Sequence, residues 1–195
     1  GTRLLLTDRL VEHISQLVSV AGVAAVIRTP DPGPRPRELS TCLLLENLQD
    51  PGNLGSILRC AAAAGIRHVF LSRGSVFAWA PKVLRAAMGA HFLVSIFEDI
   101  DLDSTVRGFR GRIVATLPRA RTSLYDLDLR GPVAWLFGSE GAGLSERALG
   151  AATDQVRIPL PGAAESLNVA AAVAVCLFEQ VRQKAGPGEK RLEMD

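Results

Sequence analysis

Lysine, cysteine and aromatic side chains are all scarce in this chain, and each shortage narrows the field. Lys82, Lys184 and Lys190 are the only lysines among 22 basic residues. The formal net charge is +2, too small to mark a nucleic-acid partner by itself. Positive charge carried by arginine suits bidentate phosphate contacts. A GC-rich coding bias produces the same excess, and composition does not separate the two. The three cysteines, Cys42, Cys60 and Cys176, are widely spaced and odd in number, with no CxxC pair and no Cys/His metal spacing. They read as reduced core thiols of a cytosolic protein, with no metal site. No apolar run approaches the roughly 20 residues that span a bilayer. The richest, Val169 to Phe178, is short and follows polar residues, so no membrane partner is expected. The chain opens on Gly1 with no basic-then-apolar leader, which reads as a trimmed or engineered start. There is no GxxxxGK[ST], no GxSxG and no HExxH. The glycine-rich run from Gly138 is spaced GxxGxG, so the dinucleotide fingerprint also fails. His13, His68 and His91 are scattered and read as surface or core residues.

What is present is a well-patterned chain of 195 residues, 48% of them hydrophobic, enough for one filled domain. Apolar positions from Thr7 to Val18 recur at helical spacing, Gly22 closes that helix, and Val23 to Ile27 reads as a short strand. Four prolines between Pro30 and Pro36 mark a linker. Residues 1–38 are therefore expected to be an appendage and 39–185 the main domain. Strands are expected at Cys42–Leu45, His68–Leu71, Phe92–Ile96, Ile113–Thr116, Val133–Phe137 and Val156–Ile158. Helices are expected at Leu54–Ala64, Pro81–Met88, Leu144–Gly150 and Ser166–Lys184. Continuous apolar strands alternating with helices imply an α/β fold, a mostly parallel sheet covered on both faces. The polar tail, 186–195, is expected to fray.

Three segments fall at the carboxyl ends of expected strands, where ligands bind in open α/β sheets. In the first, Glu46 to Arg59, Pro51-Gly52 suits a tight turn and Asn53 a helix N-cap. Arg59 lies about 200° from Ile57 and points away from the core. Gly55 would leave bare backbone beside it, a setting for a phosphate. A capping Asn and a solvated Arg explain the same residues. In the second, Leu136 to Ser145, three glycines admit close approach of a flat ligand and Glu140 sits within the loop. An ordinary strand-to-helix turn is the plainer reading. In the third, Ile158 to Asn168, two prolines and a glycine stiffen the loop. Ser166 and Asn168 bring polar groups to a helix start, where a simple cap also fits. The helix from Val169 to Phe178 is apolar almost all round and needs enclosure by the core, by a second subunit, or by both.

Together and in this order, NLGSILR at 53–59, FGSEGAGLS at 137–145 and IPLPGAAESLN at 158–168 resemble the three motifs of the SpoU/TrmH family of SPOUT methyltransferases. The stretch Pro81 to Phe92 is similar to the family's segment between motifs one and two. The resemblance covers roughly residues 40 to 184. It implies a C-terminal deep trefoil knot and a homodimer with active sites at the subunit boundary. It implies S-adenosylmethionine (S-adenosyl-L-methionine) held by Gly138, Ile158 and Leu167, with Leu160, Thr116 and Leu117. It implies methyl transfer to a ribose 2′-hydroxyl of RNA, ribosomal RNA first and transfer RNA second, in the cytoplasm. Arg59 matches the catalytic arginine. Asn53, Glu140, Ser166 and Asn168 match the remaining polar positions and would orient Arg59, the nucleotide and the loops. An arginine is a poor proton acceptor, so its role is expected to be electrostatic. Ser139 departs from the Asn common in relatives, which should alter loop hydrogen bonding and not abolish activity. Many relatives carry an RNA-binding domain in front of the catalytic one, so residues 1–38 are expected to be its end. A non-catalytic RNA-binding relative and a base methyltransferase remain the alternatives. The polar set argues against the first, and the Asn53/Arg59 pair against the second.

Overall fold

The computed structural model describes residues 3–14 and 23–185. Seven strands run through it: β1 (Cys42–Leu45), β2 (His68–Ser72), β3 (Ser95–Ile100), β4 (Arg112–Thr116), β5 (Thr122–Ser123), β6 (Val133–Phe137) and β7 (Asp154–Arg157). All pair in parallel, in the order β3-β2-β1-β6-β4-β7-β5. The helices are α1 (Asp8–Ile14), α2 (Pro51–Ala63), α3 (Pro81–Ala87), α4 (Leu102–Val106), α5 (Glu146–Ala151) and α6 (Val169–Ala185).

The sheet is covered on both faces because its central strands are apolar at every position. Successive side chains of a strand point to opposite faces. Leu43 and Leu45 of β1 join a core with Leu54 and Ile57 of α2, Val83 of α3 and Val173 of α6. Cys42 and Leu44 join a second core with Phe70, Phe97, Leu102 and Ala148. Each fully buried side chain of this size contributes roughly 1.5–3 kcal/mol. One buried polar cluster stitches α6 to the amino ends of the strands. Trp135 Nε1 donates to Gln180 Oε1 at 3.0 Å, and Gln180 Nε2 donates to the carbonyls of Leu129 (3.0 Å) and Gly131 (3.1 Å). Near β3, the Ala78 amide donates to Glu98 (2.8 Å), and chiefly burial raises that carboxyl above its ordinary range.

Several expectations shift. The helix expected over Thr7–Val18 is α1 in its described part, and residues 15–22 and 186–195 lie outside the described residues. Val23 to Ile27 forms no strand: its side chains are exposed and have no sheet to join. The expected strand Phe92–Ile96 moves to Ser95–Ile100, because Phe92 and Leu93 lie outside the core and Ala90–Phe92 is a 3₁₀ turn. The sixth expected strand, Val156–Ile158, begins earlier as β7. The short elements β5 and α4 were not anticipated. Gly55 is not bare beside Arg59. It is buried where α2 crosses α3, and a Cβ there would lie 2.4 Å from Ala86 Cβ. Its service is close helix packing.

Candidate active site

The carboxyl ends of β4, β6 and β7 open on a cleft of about 570 Å³, within the range of small-ligand sites. Thr116 and Leu117 follow β4, Gly138 and Glu140 follow β6, and Ile158 and Leu160 follow β7. Ser166, Leu167 and Asn168 close the cleft at the start of α6. All six residues expected to touch the methyl donor are on its wall. Gly138 is there for lack of a side chain: its Cβ would lie 2.1–2.4 Å from the backbone of Gly143 and Leu144. The loop doubles back on itself at that point, with Ser139 and Gly143 exchanging backbone hydrogen bonds of 3.2 and 3.0 Å. Ser139 Oγ also accepts from the Ala142 amide at 3.2 Å. Beneath the cleft, Thr116 Oγ1 lies 3.8 Å from Cys176 Sγ, and burial pushes that thiol up to about 12. It is a packing group, not a nucleophile.

The three motif segments meet in one polar chain. Asn168 Nδ2 donates to Asn53 Oδ1 (2.8 Å), and Asn53 Nδ2 donates to Glu140 Oε1 (2.6 Å). Asn53 is free to bridge because it does not cap its helix. Asp50 holds the N-cap of α2 and accepts from the Asn53 amide at 2.7 Å. Pro51 follows it in the first helical turn, where a missing N–H costs nothing. The helix thus starts three residues before the expected Leu54. Asn168 has two duties. Its Oδ1 accepts from the Ala170 amide (2.9 Å) as a cap while its amide reaches Asn53. That capping stops α6 at Val169, short of the expected Ser166.

Arg59 stands apart. It is exposed on α2, six residues beyond Asn53, and does not line the cleft of its own chain. Six residues of helix rise about 9 Å. Glu46 had been assigned no role. Its carboxylate accepts from the Ser145 amide (2.8 Å) and hydroxyl (2.7 Å), tying the end of β1 to the far end of the second loop. An acidic residue just past an apolar strand was the available signal. Ser145 caps α5, accepting from the Ala148 amide. Among the described residues no group of three His, Cys, Asp or Glu side chains is placed to hold a metal, and no helix is long and apolar enough to cross a membrane.

The chain and its fold have known relatives. Residues 40–178 match the model of the SpoU rRNA Methylase family. The chain is 35% identical over 189 residues to the 23S rRNA (guanosine-2′-O-)-methyltransferase RlmB of Bordetella pertussis, covering 95% of this chain and 74% of that protein. It is 38% identical to the uncharacterized tRNA/rRNA methyltransferase slr1673 of Synechocystis sp., covering 92% of this chain and 67% of that one. An AdoMet-bound rRNA methyltransferase from Sinorhizobium meliloti superposes with a TM-score of 0.70 at 34% identity, covering 79% of this chain and 60% of that one. An RNA 2′-O ribose methyltransferase gives a TM-score of 0.74 at 32% identity, over 91% and 70% of the two chains. Fold and cleft thus define an S-adenosylmethionine-dependent RNA methyltransferase domain of the ribose 2′-O class. The chain belongs to the SpoU rRNA methylase family.

Proposed function

We propose that the domain methylates the 2′-hydroxyl of one ribose in ribosomal RNA, with transfer RNA the next choice, and works as a homodimer in the cytoplasm. The observation that carries the reading is the convergence of residues 53, 140 and 168 in one hydrogen-bonded chain at the rim of the cleft. The cleft fits the methyl donor: its walls are apolar at Leu117, Ile158, Leu160 and Leu167, and Gly138 lets the second loop fold back on itself to shape one wall. S-adenosylmethionine supplies an electrophilic methyl group when bound there. Thr116, Leu117, Gly138, Ile158, Leu160 and Leu167 hold it, largely through backbone and apolar contact. Asn53, Glu140, Ser166 and Asn168 fix the loops and orient the nucleotide, so that acceptor and donor meet in line.

Arg59 is the catalytic arginine of this reading. Since it does not line its own cleft, it serves the cleft of a second copy, gripping the target phosphate and stabilising charge on the 2′-oxygen as its proton leaves. The surface around it supports a second copy. On α6, Ala170, Val173, Cys176 and Leu177 face the core, while Ala171, Phe178 and Val181 are exposed on the other side. Helix α2, which carries Arg59, packs against α6. The reading includes a C-terminal segment threaded as a deep trefoil knot, which the return of α6 from β7 to α2 supports. It also takes residues 1–38 as an appendage to the domain at 39–185. In support, α1 buries nothing and the family match begins at residue 40. Buried, unpaired thiols at Cys42 and Cys176 agree with a reducing compartment.

The test is transfer of a labelled methyl group from S-adenosylmethionine to RNA, followed by alkaline hydrolysis. Label retained in an alkali-resistant dinucleotide supports ribose methylation. Label in single nucleotides, or none transferred, overturns it.

A further inference from the structure

At the opposite, amino edge of the sheet lies a second cleft of about 810 Å³. It is formed where the segment before β1 passes the turn between α4 and β4. Arg35 and Arg37 line it from one side, and Arg107 and Arg110 from the other. None of these four forms an ion pair among the described residues, whereas Arg112, Arg130, Arg147 and Arg182 each do. One carboxylate, Glu38, shares the wall, so four positive groups face one negative. Phe109 sits between the two arginines of the turn, partly buried and packed on the core.

Unpaired arginines around a partly buried aromatic ring make a site for a phosphodiester chain. The guanidinium forks match phosphate oxygens. Strand β6 lies between Pro132, in this cleft, and Gly138, in the other. At about 3.3 Å per residue the two sites are roughly 20 Å apart. We propose that the amino-edge cleft holds the phosphate backbone of the substrate RNA at a point remote from the methylated nucleotide. The inference rests on the RNA-methyltransferase reading and adds to it a place that fixes substrate affinity and register.

The experiment uses the whole chain and a short fluorescein-labelled single-stranded RNA, with anisotropy read across a series of potassium chloride concentrations. Arg107→Ala/Arg110→Ala is expected to bind this RNA about tenfold more weakly. Its log–log salt slope should be shallower by about 1.4, the loss of two phosphate contacts to a single strand. Binding of S-adenosylmethionine by calorimetry should be unchanged, which also reports that the variant is folded. Arg107→Lys/Arg110→Lys should recover the slope. Arg130→Ala, which removes an arginine already paired with Asp128, should change nothing. A folded alanine variant with the parent's affinity and slope overturns the inference while leaving the methyltransferase reading intact. Micromolar AMP that displaces RNA from the parent but not from the alanine variant would make this a small-phosphate site, and overturns it too. A parent chain that binds S-adenosylmethionine but neither binds nor methylates RNA removes both.

Discussion

The two edges of this sheet are held together by different means. At the amino edge, Gln180 and Trp135 form a buried cluster that ties α6 to the ends of β1 and β6. At the carboxyl edge, Asn53, Glu140 and Asn168 are joined by exposed or half-exposed side-chain bridges. A buried polar group that loses its partner costs the full desolvation penalty, while an exposed one turns to water. The Gln180 network is therefore built for stability and the Asn53 network for shape. Substitutions in the first should alter melting without chemistry, and in the second chemistry without melting.

The sharpest break in that contrast is expected at Arg59. Arg59→Ala should lower kcat about 10²–10³-fold, the range for removing one group that stabilises developing charge. Because Arg59 does not line the cleft of its own chain, the affinity for S-adenosylmethionine and the melting temperature should stay put. Mixing Arg59→Ala with an inactive cleft variant of the second copy sharpens the point. Recovered activity in the mixture places arginine and cleft on different subunits, and none places them on one. Next in size, Gln180→Ala should cost about 2–4 kcal/mol in denaturant unfolding, since it orphans the Trp135 N–H and two carbonyls. Its affinity for the donor should match the parent's, and a large affinity loss would erase the distinction between edges. Gly138→Ala should weaken S-adenosylmethionine binding by at least about tenfold, because the loop must move to admit the methyl. The strain is about 1–3 kcal/mol, and calorimetry measures the binding. Asn53→Ala breaks two exposed bridges whose freed partners turn to water. It should reduce turnover by about tenfold with little change in melting.

The smallest effect belongs to neither edge's network. Burial raises the Glu98 carboxyl, so the folded chain holds its proton at a pH where the unfolded chain has lost it. Stability then falls as pH rises through the window between the ordinary and raised values. Glu98→Gln has no proton to lose. Its melting temperature relative to the parent should rise from acid pH towards neutral, and a flat difference would contradict the assignment.

Much of this organisation was readable before any coordinates. β1 and β6 announced themselves because strands covered on both faces are apolar at every position. The two-residue β5 and five-residue α4 are too short to leave a period. Phe92 and Leu93 misled because they are large apolar residues left outside the core. Val23 to Ile27 misled in the same way. At the site, residue types and their order were legible, but the bridge from Asn53 to residues 87 and 115 positions away was not. Spacing along a helix says which way Asn53 points, not what meets it. Nor did spacing show that Asp50 would take the cap and release Asn53 for that duty.

Gly55 carries a consequence for the cleft, although it touches no part of it. It is the seat on which α2 rests against α3, with no room there for even one carbon more. The height of that seat sets where the Asn53 carboxamide stands, two residues earlier on the same rigid rod. Any residue larger than glycine would tilt the rod and pull the carboxamide out of register with both loops. A buried helix crossing outside the cleft would then govern how its loops are aligned.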